Sequence, residues 1–143
     1  FTTEEIFTLV DKQNKSIHEK NFVKVPSSWK DIDLDDKWRS LYKIKQEANI
    51  AIEQKRASKE IGSSLEAEIE IFVNNNNYKL MEGLDLAEYF ITSKATKFEN
   101  KDKKEEGIKI IVKKSTGTKC PRCWKVLQGK CVRCAQATKG ITV

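Results

Sequence analysis

Cysteine is the residue type with the clearest chemical potential in this chain. All four cysteines, Cys120, Cys123, Cys131 and Cys134, fall within fifteen residues and form two CxxC pairs with seven residues between them. That is metal spacing, not a disulfide framework spread over a core. Two such knuckles can place four thiolates at the corners of a tetrahedron, where a borderline-soft ion such as zinc accepts sulfur at about 2.3 Å. With sulfur at every position no place remains for an activated water, so the expected ion is structural. Three other uses of the four thiols compete with this one. Cysteines two residues apart bridge poorly to each other, free thiols would not need the spacing, and a mononuclear iron centre is chemically similar.

Around the cluster lie Lys119, Arg122, Trp124, Lys125, Lys130 and Arg133. A guanidinium and an indole on a rigid loop can pair with phosphate and stack on an unpaired base. Trp124 could equally cover the sulfurs and pack the module onto its neighbour, as tryptophans are usually well buried. Elsewhere the chemistry is thin. His18 has neither a nucleophile pattern nor a second histidine beside it, and reads as a loop residue. Glu66, Glu68 and Glu70 read as a solvated strand face. No glycine-rich phosphate loop is present.

The elements that must position these residues follow from periodicity. Thr2 to Glu5 has a capping-box pattern, and Ile6, Leu9 and Val10 recur at helical spacing, so a short helix should end near Val10. Residues 11 to 31, with Pro26, read as a connecting loop. From Asp33, a candidate cap, the residues Leu34, Trp38, Leu41, Ile44, Ala48, Ala51 and Ile52 follow the 3.6-residue period of a long amphipathic helix over 34 to 60, with Gly62 as its left-handed stop. Its polar side carries Arg39, Lys43, Lys45, Lys55, Arg56 and Lys59.

Leu65, Ala67, Ile69, Ile71 and Val73 then alternate with the three glutamates as a half-buried strand. Asn74 to Asn77 read as a polar turn before one or two short helices. Tyr89 to Ile91 lead into a second strand ending near Phe98. Ile108, Ile110 and Val112 mark a third, after a charged hairpin-like loop over 99 to 107. The expectation is an α+β fold: a long amphipathic helix with a small three-stranded, mainly antiparallel sheet, followed by a four-cysteine zinc knuckle module. The boundaries expected are 1–62 for a helical region, 63–116 for the α+β unit and 117–143 for the zinc module.

A chain of 143 residues can bury one modest core, or a small domain plus a metal-stapled module, but hardly a large enzyme fold. Opening at Phe1, without an initiator Met and directly on a helical pattern, it is expected to continue a longer protein. No run approaches the roughly 18 apolar residues needed to span a membrane, and no secretory pattern opens it, so membrane association is not expected. Clustered cysteines fit a reducing cytoplasm. The formal charge is +6, and six basic residues but no acidic one follow from Lys119 onward, which makes a polyanion the natural partner. A mild basic excess alone is more often the mark of mere solubility.

Several segments together resemble the C-terminal region of the bacterial isoleucyl-tRNA synthetases, a family of class I aminoacyl-tRNA synthetases. They are FTTEEI at 1 to 6, Ser16 to His18 with Phe22, AIEQKR at 51 to 56, KEIGSSLEA at 59 to 67 and KCPRCW at 119 to 124. The likeness runs over nearly the whole chain. IGSSLEA combined with KCPRCW is far more specific than either CxxC pair.

The resemblance implies the end of a helical anticodon-binding domain followed by a terminal zinc module, in an enzyme that joins isoleucine to its tRNA with ATP. Isoleucine tRNA and the upstream domains of the same enzyme would be the partners, with the chain a monomer in the cytoplasm. ATP and magnesium would belong to the upstream catalytic domain, so this segment would carry no catalytic residue. Cys120, Cys123, Cys131 and Cys134 would hold one structural zinc. Arg122 and Trp124 would touch RNA, with Lys125, Arg133, Lys55, Arg56 and Lys59 as further contacts. Two departures stand out. The seven-residue spacer is shorter than expected of the family, which trims the tip of the module, and the nucleotide-binding and editing motifs are absent. Two competing readings are a DNA-binding finger and a purely structural cap.

Overall fold

The computed structural model describes residues 1–11, 16–100 and 107–139. They form two compact units, Phe1–Ile32 and Asp33–Val143. In the first, helix α1 (Thr2–Val10) has Phe1 at its N-cap position without a side-chain cap bond, so the capping box expected of Thr2 and Glu5 does not form. Glu4 turns the other way: its carboxylate accepts from the Ser16 hydroxyl and the Ile17 N–H, both at 3.1 Å. The expected loop over 11 to 31 holds two 3-10 turns, Ile17–Glu19 and Ser27–Trp29. His18 lies exposed in the first of them, and residues 12–15 of that loop lie outside the described residues.

The second unit is built on helix α2, Ile32–Ala57. Its fully or nearly fully buried residues are Leu41, Ile44, Ala48 and Ile52, at steps of three and four that keep one stripe facing inward. Leu34 and Trp38, on the same expected stripe, stay about half exposed. The stripe packs on strand β1 (Ala67–Val73), whose Ala67, Ile69, Ile71 and Val73 are all buried while Glu68 and Glu70 face the other side. Each fully buried isoleucine or leucine here contributes about 1.5–3 kcal/mol. The apolar stripe of α2 is thus the cover of the sheet, and the two share one core within the unit Asp33–Val143.

Helix α2 stops before Gly62. Lys59 takes a left-handed φ of 60°, its N–H bonds the Arg56 carbonyl and the Glu60 N–H bonds the Lys55 carbonyl. This is the paired-bond cap usually built on glycine, here with lysine in the strained position.

The asparagine run is more ordered than a turn. The Asn74 side chain accepts the Asn77 N–H and caps helix α3 (Asn75–Leu80), as Asp85 accepts the Glu88 N–H to cap α4 (Leu86–Tyr89). These two helices make the connection to β2 (Lys94–Glu99) long enough for a crossover, and β2 runs parallel to β1. Strand β3 (Lys109–Lys114) then pairs antiparallel with β1. The sheet, in the order β2-β1-β3, is thus mixed where a mainly antiparallel one was expected. Alternation along each strand reveals which face is buried but not which way a neighbour runs. The charged loop expected over 99 to 107 lies largely outside the described residues.

The C-terminal module contains β4 (Thr118–Lys119) and β5 (Val126–Leu127), paired antiparallel, and helix α5 (Val132–Ala137). Gly117 makes that hairpin possible. Its φ is 132°, and a Cβ there would meet the Leu127 carbonyl oxygen at 2.3 Å.

Candidate metal centre and nucleic-acid surface

The hairpin and α5 bring the two CxxC pairs together from opposite sides. Cys120 follows β4, Cys123 sits on the turn before β5, Cys131 is the N-cap residue of α5 and Cys134 lies inside it. The turn is closed by the Trp124 N–H on the Cys120 carbonyl and the Cys120 N–H on the Lys125 carbonyl, both at 2.9 Å. All four Sγ atoms lie within 4.8 Å of one another. Sulfurs at about 2.3 Å from a central ion would be about 3.8 Å apart on a tetrahedron. Cys123 and Cys131 Sγ are 3.7 Å apart. The donor set therefore fits a four-coordinate, thiophilic ion with no open position.

The turn also tunes one of the four sulfurs. The Cys120 thiol is lowered to about 6, first by the Cys123 N–H and then by the Arg122 N–H, with smaller help from the Cys123 and Cys134 side chains. N–H groups aimed at sulfur favour the thiolate, the form that binds metal.

Of the residues expected to touch RNA, most have partners inside the protein. The Arg122 guanidinium donates to Cys134 Sγ at 3.7 Å, a bond that orients a ligand from behind. Arg133 Nη1 reaches Glu88 Oε2 at 3.0 Å, and Lys125 Nζ lies 3.7 Å from the same oxygen. Lys55 pairs with Glu60 at 2.8 Å, and Arg56 with Glu53 at 2.7 Å. Lys59 has no side-chain partner among the described residues. Trp124 is 61% exposed and holds a left-handed φ of 64°.

Sequence reasoning missed the residues that dock the module. Ser93, 6% exposed, donates to the Leu65 carbonyl and accepts the Val126 N–H at 2.6 Å. Glu66, expected on a merely solvated face, accepts the Gly62 N–H at 2.9 Å and pairs with Lys119 at 3.3 Å. Glu88 gathers Lys125 and Arg133. No spacing rule marks a lone serine or a pair of glutamates as an anchor between two segments; the only available signal was the excess of cations near the cysteines.

No family model matches the chain. Curated proteins do. An isoleucine–tRNA ligase of Pelagibacter ubique is 47% identical over 135 residues, covering 93% of this chain. Ligases of the same name from Bartonella henselae and a Thermoanaerobacter species are 33% and 31% identical, over 90% and 87% of the chain. The chain spans about a seventh of the length of these relatives, 14% to 15%, in their C-terminal part. Among the described residues no helix is long and apolar enough to cross a membrane. On this agreement over nine-tenths of its length, the chain is similar to the C-terminal part of the isoleucine–tRNA ligases.

Proposed function

We propose that this segment binds isoleucine tRNA near the anticodon and helps to position it for an isoleucine–tRNA ligase, without doing chemistry itself. Zinc is the ion that the four thiolates would hold, because it is content with a closed tetrahedral sulfur cage and carries no redox chemistry. Its contribution is rigidity. ATP and magnesium would act in the catalytic part of the enzyme, which would work as a cytoplasmic monomer.

The observation that carries this reading is the Trp124 ring, 61% exposed on a turn whose backbone is fixed by two bonds to Cys120. An exposed indole on a rigid corner gains little from folding but much from stacking on an unpaired base, worth about 1–3 kcal/mol. In the full-length ligase, Trp124→Ala should reduce tRNA charging while ATP-dependent isoleucine activation stays near wild type. Equal loss in both assays would overturn the reading.

A second reading, a purely structural cap, draws support from the pairing of Lys125 and Arg133 with Glu88. Under that reading Arg133→Ala would leave the salt dependence of tRNA binding unchanged. A phosphate contact predicts a log–log slope shallower by about 0.7 to 0.9.

A further inference from the structure

The flank of α2 beside its buried stripe carries a cluster that the cysteine module does not use. Trp38, Tyr42, Lys45 and Asn49 recur at steps of three and four and so share one helix face. With Arg39 and with Tyr89 of α4 they line a groove of about 430 Å³. The Trp38 and Tyr89 rings meet 5.6 Å centre to centre, and Lys45 Nζ lies 4.8 Å from the centre of the Tyr89 ring. Tyr42 is 59% exposed and Trp38 42%.

The charge of the groove indicates its occupant. None of its six lining residues is a carboxylate. Arg39 is already held by Asp35, through Nε at 3.1 Å and Nη2 at 2.8 Å. Lys45 has no carboxylate partner among the described residues. Exposed rings beside an uncompensated ammonium suit a nucleobase and its phosphate. A protein helix would also bury aromatic rings, but it would gain nothing from that cation without bringing a carboxylate of its own. Tyr89 also directly follows Glu88, the residue on which Lys125 and Arg133 of the cysteine module converge, so the groove adjoins the place where that module docks.

We propose that this groove is a second RNA contact of the segment, in which an unpaired base stacks on the Tyr42 and Trp38 rings and Lys45 meets the adjoining phosphate. The proposal rests on the tRNA reading given above and extends it to a site that contains no residue of the zinc module.

The test uses the full-length ligase and isoleucine tRNA, with binding measured over a range of salt and isoleucine activation measured alongside. Tyr42→Ala should weaken binding about fivefold or more, whereas Tyr42→Phe, which keeps the ring, should bind like wild type. Lys45→Gln should make the log–log salt slope shallower by about 0.7 to 0.9, and Lys45→Arg should not. Activation should be unchanged in all four. Trp124→Ala is measured in parallel. If it weakens binding while Tyr42→Ala and Lys45→Gln do not, the groove proposal fails and the tRNA reading stands. If none of the three changes binding, both fail. A lower melting temperature for Tyr42→Ala with tRNA binding intact would show that the groove is covered by protein, and would also overturn the proposal.

Discussion

The Ser93 hydroxyl accepts the backbone N–H of Val126 at 2.6 Å, and through this bond the cysteine module is fastened to the sheet. The same oxygen donates to the Leu65 carbonyl, while the Ser93 N–H bonds the Ala67 carbonyl. Ser93→Ala would leave a part-buried N–H and a part-buried carbonyl unpaired. A loss of about 1–3 kcal/mol is expected, read from the urea midpoint. Amide exchange at Val126 should accelerate beyond what that global loss explains, since the module would open locally.

Acid should loosen a second fastening. Glu66 is held below the ordinary carboxylate range, first by the Gly62 N–H and then by the Lys119 ammonium. A depressed folded-state value means that this carboxylate contributes its full stability above the ordinary glutamate pKa of about 4.3. The contribution is lost as pH falls through the lowered value. Glu66→Gln should therefore flatten the stability profile on the acid side, below about pH 4.3, in urea titrations run from pH 7 to 3. An unaltered profile would show that the interaction is too weak to matter.

Lys59 offers a gain. Its left-handed φ costs a residue with a Cβ about 1 kcal/mol that glycine avoids. Lys59→Gly should raise the melting temperature by roughly 2–5 °C. If the side chain also meets a phosphate, the same variant will bind tRNA less tightly despite being more stable. That opposition separates a backbone role from an RNA contact.

Removing the metal should undo the module and spare the sheet. Among the described residues from Gly117 onward only Cys134 is buried, so the module has almost no apolar core of its own. The sheet and α2 share a core containing Ile44, Ile69, Ile71 and Phe90. Chelation should make the four thiols reactive and change Trp124 fluorescence, with most of the 222 nm ellipticity retained through the 26-residue α2. Collapse of the whole helical signal would contradict this division.

The features visible in the sequence were those that repeat. The stripe Leu41, Ile44, Ala48, Ile52 and the alternation Ala67, Ile69, Ile71, Val73 each arise from one element meeting one core, and periodicity records that directly. Cys120, Cys123, Cys131 and Cys134 were visible because a tetrahedral site demands paired ligands. Hidden features depended on bonds that no repeat or spacing records. The parallel placement of β2 needs the crossover made by the two short helices that Asn74 and Asp85 cap. The true helix stop is Lys59 because the bonds from Glu60 and Lys59 close there before Gly62 is reached. The bond from the Arg122 guanidinium to Cys134 Sγ is likewise marked by no local pattern.

Among the described residues, the order β2-β1-β3 leaves β2 and β3 as edge strands, the usual starting point for a chain to pair with copies of itself. Both edges are studded with lysine: Lys94 and Lys97 on β2, Lys109, Lys113 and Lys114 on β3. Lys94 and Lys113 are tethered to Glu68 and Glu70 of the central strand. An incoming strand would have to strip water from these ammonium groups before making its first backbone bond. Part of the positive charge of this chain is therefore placed where it opposes edge-to-edge pairing.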